Sequence, residues 1–359
     1  MRGHGPARGR APPPTAREPP LRHPARPHRL RSAPVTTTLL PALASEARSV
    51  AHRSAVRPPG GACRCGGGVA DAVLADRDDA QVVRHAAVVA KAHAPGTGRR
   101  DLTVRLAVAA RLPELLLPPL REAPTALHGR LITFWPHGVP VDRDDPDAAP
   151  WEAAATLLAG LHATDPAALP QPLPQMRGPA KAARALARLR AAGPHPAAPP
   201  VLRAWAALPD WARGEAPAPV GRRGLCHGDL HLGQLVRAEG RGWRLIDVDD
   251  LGTGDPAWDL ARPAAWYACG LLSPEEWTRF LDAYRRAGGP ALPAVGADPW
   301  PVLDVPARAL TAQTAALAVA KAVAAGRPLD EIEQALVDAC DRMAGVSAVP
   351  AELAPEVTK

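Results

Sequence analysis

The chain has 359 residues, 47% of them hydrophobic, which is enough apolar material for one large or two modest lobes. Residues 1–60 carry a charge of +9, from 11 arginines against two acidic residues, so the remaining chain sums to −2 of the total of +7. A nearly neutral body without a long basic stripe argues against a nucleic-acid partner, and no apolar run reaches the roughly 18 residues of a membrane span.

Residues 1–34 are predicted to be disordered because their arginine, proline, glycine and histidine content leaves few large apolar side chains to bury, and residues 1–60 as a whole are assigned to an Arg/Pro-rich disordered tail. Residues 36–47 weakly resemble a signal peptide, but the stretch before them is too long and Pro41 interrupts the apolar run. The five cysteines lack a paired C-x-x-C spacing, which favours a reducing cytoplasmic location. Cys63 and Cys65 are either two free thiols or ligands of a soft metal.

Residues 61–137 are predicted to form a small nucleotide-binding lobe. The β-type runs at 69–75, 80–84 and 87–93 precede a helix at 102–112 and a further strand at 131–135. That last strand ends at a Pro-His-Gly sequence, where we expect the hinge to a second lobe. Phe134 and Trp135 lie near this hinge and either approach the adenine or belong to the core. Gly66, Gly67 and Gly68 either cover the phosphates or form an ordinary turn.

Residues 138–359 are predicted to form a larger, mostly helical lobe. Helices are expected at 151–162, 179–192, 306–325 and 329–343. Ser273 and Glu276, with Pro274 between them, form a capping-box pattern that starts another helix. The proline-rich residues 165–200 are predicted to be a lid or a flexible insertion.

Two apolar strands in this lobe end in carboxylates. Residues 225–234 read LCHGDLHLGQ and residues 243–250 read WRLIDVDD, which places Asp229 and Asp247 after the strands. Phosphoryl transfer needs a carboxylate beside the attacking hydroxyl and oxygen ligands that hold Mg²⁺ on the nucleotide phosphates. Gln234, five residues after Asp229, offers an amide oxygen at the position where a kinase catalytic loop usually has asparagine. Asp249 and Asp250 are either further ligands through water or an exposed acidic turn.

These two segments, followed by GDPAWDLA at residues 254–261, resemble the aminoglycoside phosphotransferase family, which includes choline, fructosamine and maltose kinases. The resemblance covers roughly residues 66–290 and implies an α+β, bilobal, protein-kinase-like fold. It implies that Asp229 is the catalytic base, that Gln234 and Asp247 are metal ligands, and that Asp259 is a buried acid bracing the catalytic loop. His231 is expected to support the site from outside it.

Lys91 is a candidate nucleotide-binding residue. Lysine is rare here, with four in the whole chain, and Lys91 falls on the third predicted strand, where a kinase lysine contacts the α- and β-phosphates. The alternative is an ordinary exposed lysine at a strand end. The helix at 99–112 has no glutamate to pair with it, and neither Asp101 nor Glu114 has convincing spacing.

The sequence therefore predicts a small-molecule kinase that uses Mg²⁺ and ATP or GTP to phosphorylate a hydroxyl of an aminoglycoside or of a metabolite such as a sugar or amino alcohol. Five acidic residues are candidates for contacting a cationic acceptor, or are solvated helix faces: Glu275, Glu276, Asp282, Asp298 and Asp304. The alternative function is a catalytically weak, pseudokinase-like regulatory protein that binds nucleotide. A protein kinase is disfavoured because Asp-Phe-Gly and an activation segment are missing.

Overall fold

The computed structural model of the protein describes residues 36–53, 71–219, 221 and 223–345. The strands in this part of the chain are β1 (Ala72–Asp76), β2 (Gln81–His85), β3 (Val88–Ala92), β4 (Thr125–Leu127), β5 (Arg130–Pro136), β6 (Val139–Pro140), β7 (Gly224–Cys226), β8 (Leu235–Ala238), β9 (Gly242–Leu245) and β10 (Gly252–Gly254). The α-helices are α1 (Thr36–Arg53), α2 (Arg99–Arg111), α3 (Trp151–Ala163), α4 (Gly178–Ala191), α5 (Ala198–Ala206), α6 (Ala257–Ala268), α7 (Pro274–Arg286), α8 (Trp300–Ala325) and α9 (Glu331–Gly345).

The first lobe is built on a five-stranded antiparallel sheet with the strand order β1-β2-β3-β5-β4. The predicted runs at 80–84, 87–93 and 131–135 coincide closely with β2, β3 and β5, and the predicted helix at 102–112 corresponds to α2. The cysteine pair Cys63 and Cys65 and the three glycines 66–68 lie outside the described residues.

The expectation that residues 1–60 form a disordered tail is wrong for α1, Thr36–Arg53. Leu39, Leu43 and Val50 lie about one or more helical turns apart and are buried against the sheet, in a cluster that includes Phe134. The free energy gained by burying these side chains outweighs the entropy lost when the helix forms. Composition alone did not predict this burial. Pro41 lies inside the helix, where it removes one backbone hydrogen bond, and the burial of Leu39 and Leu43 on either side of it outweighs this loss.

The second lobe is mostly helical, as predicted, and its buried residues belong to two clusters, the larger of which also includes α2 of the first lobe. The capping box is confirmed: the Glu276 backbone N–H donates to Ser273 Oγ at 3.2 Å and the Ser273 N–H donates to Glu276 Oε2 at 3.1 Å. Residues 165–200, predicted to be a lid or a flexible insertion, contain α4 and the start of α5, and both helices pack into the second cluster against α8. Among the described helices, none is both long and apolar enough to cross a membrane.

Helix α8 begins at Trp300, earlier than the predicted start at residue 306. Pro306 therefore lies inside the helix, where proline removes a backbone hydrogen bond. Pro306 is buried, and the long alanine-rich face that follows packs against α4, α6 and α9. Tertiary packing thus outweighs the local cost of the proline.

Two small sheets position the functional loops. Strands β7 and β10 pair with each other, and β6, β8 and β9 form a three-stranded sheet. The chain leaves β7 directly into His227-Gly228-Asp229 and leaves β9 directly into Ile246-Asp247. The two predicted acidic sites are therefore at strand ends, as the sequence indicated.

Candidate active site

The loop after β7 is held by one buried carboxylate. Asp259, on α6, accepts hydrogen bonds from the backbone N–H of His227 at 2.5 Å and of Gly228 at 2.7 Å. His162 Nε2 lies 3.1 Å from the same carboxylate, and His162 Nδ1 is 2.7 Å from the hydroxyl of Tyr284. Burial alone would raise the pKa of Asp259, but the hydrogen bonds from His162 and the backbone hold it below its ordinary value. Asp259 thus occupies the bracing position that the family resemblance implied.

Gly228 is required by the backbone of this loop. Its φ is +84°, and a Cβ at this position would lie 2.4 Å from the carbonyl oxygen of Asp250. Glycine alone adopts this conformation at little steric cost and leaves room for the close approach. The His-Gly-Asp order is therefore explained by geometry as well as by chemistry.

Asp229 is contacted by two cationic side chains. Arg262 Nη2 lies 3.0 Å from Asp229 Oδ1, and Lys181 Nζ lies 3.0 Å from Asp229 Oδ2. Burial by itself would raise the pKa of Asp229, but Lys181 and Arg262 outweigh it and lower the pKa to about 2. The carboxylate is therefore ionised at neutral pH and is ready to accept a hydrogen bond.

Lys91 reaches across from the first lobe to the loop after β9. Its Nζ lies 2.7 Å from Asp247 Oδ1 and 3.0 Å from Asp249 Oδ2, and its side chain is 11% exposed. Burial would lower the pKa of Lys91, but the two carboxylates raise it above its ordinary value. The interpretation of Lys91 as an ordinary exposed lysine is wrong. The missing glutamate is replaced by aspartates of the second lobe, not by a residue of α2.

Asp249 is a site residue that the sequence reasoning left undecided. His93 Nδ1 lies 2.6 Å from Asp249 Oδ1, and His93 Nε2 lies 2.8 Å from Thr133 Oγ1. Asp249 therefore links Lys91 to a buried histidine, and it is not a freely exposed acidic turn. Asp247 itself has a positive φ of 66°, a conformation that is uncommon outside glycine and frequent at functional sites.

Gln234 and Asp247 meet the chemical requirements of a magnesium site. Gln234 ends a short 3-10 turn. Its backbone carbonyl accepts a hydrogen bond from the Ile246 N–H at 2.8 Å, which holds Gln234 next to the residue before Asp247. Its side chain is buried, and among the described residues no partner for its amide is found. A carboxylate and an unpaired amide oxygen are hard oxygen donors of the kind that Mg²⁺ prefers. The residues present thus fit the ion.

The proline-rich region supplies two cations to the site that the sequence reasoning did not name. Lys181 Nζ lies 2.7 Å from Asp250 Oδ2 as well as 3.0 Å from Asp229, and Arg177 Nε donates to Asp250 Oδ1 at 2.6 Å. Asp250 is thus an ion-paired part of the site. The rarity of lysine, which singled out Lys91, would also have singled out Lys181.

His231 follows Asp229 by two residues, and its ring packs against Gly233, where a Cβ would lie 2.8 Å from the imidazole. Burial, with Arg262 nearby, lowers the pKa of His231 to about 4. The imidazole is therefore neutral at physiological pH. Its described surroundings agree with a supporting position beside the catalytic loop.

The five acidic candidates for acceptor binding are used elsewhere or lie away from Asp229. Glu276 caps α7 and accepts from Trp151 Nε1 at 3.0 Å, Asp298 accepts from the Trp300 N–H at 3.0 Å, and Asp304 pairs with Arg308 at 3.5 Å. Glu275 and Asp282 also lie outside the cleft beside Asp229. At the hinge, Phe134 and Trp135 are buried, so their side chains belong to the core.

The sequence pattern of the phosphotransferase enzyme family matches residues 65–298. The chain belongs to the phosphotransferase enzyme family. This confirms the family expectation and identifies the protein as a phosphotransferase, with Asp229, Gln234, Asp247 and Lys91 all inside the matched region. No match was found among curated proteins.

Solved structures of the same fold confirm the bilobal kinase-like architecture. A choline kinase from Streptococcus pneumoniae matches with a TM-score of 0.52 and 14% sequence identity, covering 77% of this chain and 92% of that chain. A thermostable mutant of an aminoglycoside phosphotransferase, in a ternary complex with AMP-PNP and hygromycin B, matches with a TM-score of 0.51 and 14% identity, covering 78% of this chain and 95% of that chain. At this identity the likeness concerns the fold.

Proposed function

We propose that this phosphotransferase transfers the γ-phosphoryl group of ATP or GTP to a hydroxyl of a small molecule. The observation that carries the proposal is that a buried lysine of the first lobe contacts acidic residues of the second lobe near an ionised aspartate. Lys91 of the first lobe contacts Asp247 and Asp249, while an ionised Asp229 stands at the neighbouring cleft. A phosphate-binding cation, a metal-binding carboxylate and a hydroxyl-orienting carboxylate are the parts that phosphoryl transfer requires.

In the proposed mechanism, Asp229 accepts a hydrogen bond from the acceptor hydroxyl and directs its oxygen at the γ-phosphorus. Its low pKa of about 2 makes it a weak base, so proton transfer to it is expected late in the reaction, after bonding to phosphorus has made the hydroxyl acidic. Lys91 balances charge on the phosphates. Gln234 and Asp247 would hold Mg²⁺, which when bound neutralises charge on the nucleotide phosphates.

We further propose a lobe boundary between residues 137 and 138, and a cytoplasmic location. The boundary is supported by the strand pairing, since β5 ends at Pro136 in the first sheet and β6, from Val139, pairs with β8 of the second lobe.

The cytoplasmic location is supported by the thiols, since Cys226, Cys269 and Cys340 are all free.

The test is release of nucleoside diphosphate from ATP and GTP, with and without Mg²⁺, in the presence of a panel of hydroxyl compounds. Asp229→Asn should reduce acceptor-stimulated release about 10²- to 10⁴-fold while nucleotide binding is retained. Asp247→Asn should abolish the Mg²⁺-dependent release of diphosphate. The matched control is Glu275→Gln, an exposed acid of α7 outside the site, which should behave as wild type.

Two outcomes would contradict the proposal. Unaltered turnover in folded Asp229→Asn would remove this carboxylate from the mechanism. Nucleotide binding without phosphorylation of any acceptor, and without a response to Mg²⁺, would instead favour the regulatory, pseudokinase-like alternative.

A further inference from the structure

The charged side chains that line the cleft beside Asp229 do not suit a polycationic acceptor. The charged lining residues of the cleft are Asp229, Lys181 and Arg262. Among the described residues that line it, Asp229 is the sole carboxylate. The lining therefore carries one net positive charge, and each cation already lies 3.0 Å from Asp229.

The groups behind this lining do not reverse its sign. Asp250 contacts Lys181 at 2.7 Å, but it is also paired with Arg177, whose Nη2 lies 2.5 Å from Asp250 Oδ1. Three cationic side chains thus surround two carboxylates. A ligand ammonium group entering here would meet Lys181 and Arg262 without a free carboxylate to receive it, and like charges brought together out of water repel each other strongly.

A second, independent feature of the cleft is Gln313 on α8. The residue is 6% exposed, it lines the cleft, and its side-chain amide has no hydrogen-bond partner among the described residues. Because Gln313 lines the cleft and no other described side chain occupies its amide, the amide is available to hydrogen-bond a ligand there. The helix around it is rich in alanine, so Gln313 is an isolated polar group on an otherwise apolar surface. Trp258 and Leu310 supply the apolar part of the lining.

Resting on the proposed function, we propose that the acceptor is a small anionic hydroxyl compound, whose carboxylate or phosphate contacts Lys181 and Arg262 while its hydroxyl contacts Asp229. Gln313 donates to, or accepts from, a further polar group of the same molecule. The hydroxyl oxygen attacks the γ-phosphorus as the bond to the β-phosphate oxygen breaks. The hydroxyl proton passes through Asp229 to solvent, and the products are a phosphate ester and a nucleoside diphosphate.

The experiment compares acceptors that share a skeleton and differ in charge. Gluconate, glucose 6-phosphate, glucose and glucosamine form one such set, and glycerate, glycerol 3-phosphate, glycerol and 3-aminopropane-1,2-diol form another. Two readouts are taken: diphosphate release, and the shift in melting temperature with a non-hydrolysable nucleotide present. We expect the anionic members to raise the melting temperature and to be phosphorylated in preference to the cationic ones, and the comparison of carboxylate with phosphate identifies the anionic group.

Variants then test the assigned residues. Lys181→Met should raise KM for an anionic acceptor about 10-fold or more, with a smaller effect on its neutral analogue, because hydrogen bonds to a charged group are stronger. Gln313→Leu should raise KM about 10-fold, because it removes a hydrogen bond to the acceptor, while leaving the melting temperature of the free protein nearly unchanged, because the amide bonds no other described residue. Lys321→Met, an exposed lysine on α8, is the matched control. A merely structural role of Lys181 would affect anionic and neutral acceptors equally.

The outcomes separate this inference from the proposed function. Phosphorylation of cationic or neutral members in preference to both kinds of anion would overturn the inference and leave the kinase function standing. Absence of any thermal shift or turnover with anionic compounds would overturn it as well. Anion-dependent thermal shifts that are lost in Lys181→Met, without turnover of any compound, would support the anion site and contradict the kinase function.

Discussion

Replacing Asp259 by asparagine should both destabilise the protein and misplace its catalytic loop. The carboxylate, 1% exposed, receives two backbone N–H groups and His162, whereas an amide has one oxygen and would turn an N–H₂ toward at least one of these donors. Hydrogen bonds to charged groups contribute about 1.5–3 kcal/mol, and a buried unsatisfied donor costs about 1–3 kcal/mol. We therefore expect a loss of about 3–5 kcal/mol in the free energy of unfolding.

The pH dependence of this effect has a definite sign. Because the pKa of Asp259 is lower in the folded than in the unfolded protein, the stability it contributes is present above the ordinary pKa of about 4 and is lost as the pH falls through the folded pKa. The stability difference between wild type and Asp259→Asn should therefore be largest near neutral pH and shrink in acid.

The assay is urea unfolding followed by tryptophan fluorescence at several pH values, together with kcat measured below the unfolding transition. Since Asp259 holds the backbone of His227 and Gly228 next to Asp229, we expect kcat to fall about 10²-fold. Glu275→Gln is the control for exchanging an acid for an amide. Wild-type stability together with wild-type kcat in Asp259→Asn would refute the bracing role.

Three further predictions concern the loop, the core and the ionisation of the site. Gly228→Ala should cost about 2–4 kcal/mol and most activity, because its Cβ would lie 2.4 Å from the Asp250 carbonyl at a positive φ; an active, wild-type-stable variant would contradict this. Leu158→Ala, at a fully buried position, should lower the free energy of unfolding, measured by urea denaturation, by about 2–5 kcal/mol. A loss below about 1 kcal/mol would show that neighbouring side chains fill the cavity left by the leucine. Because the pKa of Asp229 is about 2, kcat/KM of the wild type should not fall with decreasing pH until below about pH 4. In Lys181→Met this acidic decrease should begin at a higher pH, because the variant lacks a cation that lowers the pKa of Asp229. An unchanged pH profile in Lys181→Met would show that Lys181 does not influence the ionisation of Asp229.

The catalytic segments could be predicted because each is a short, contiguous pattern. An apolar strand followed by His-Gly-Asp, or by Ile-Asp, fixes both the burial of the strand and the exposure of the residue after it. The capping box at Ser273 is local in the same way, and its two hydrogen bonds form as expected. Asp229, Gln234 and Asp247 were therefore named from these segments, whereas Lys91 was named because lysine is rare and because it falls on the third predicted strand.

Other parts were not predictable because their signal is not local. Helix α1 lies next to an arginine- and proline-rich segment, and its apolar residues are buried against a sheet whose strands come later in the chain. Lys181 lies 69 positions before Asp250, and Arg262 lies 33 positions after Asp229. Nothing in the spacing of these residues indicates that they meet.

By itself, the sequence indicated which carboxylates follow strands, and the family resemblance it carries implied which buried acid braces the catalytic loop. The tertiary structure decided the ionic surroundings of Asp229 and the lining of the cleft. Lys181, Arg262 and Gln313 come from α4, α6 and α8, three helices that are separate in the chain. The physical reason is that local patterns encode backbone conformation and burial, whereas the meeting of side chains from distant helices depends on how those helices pack.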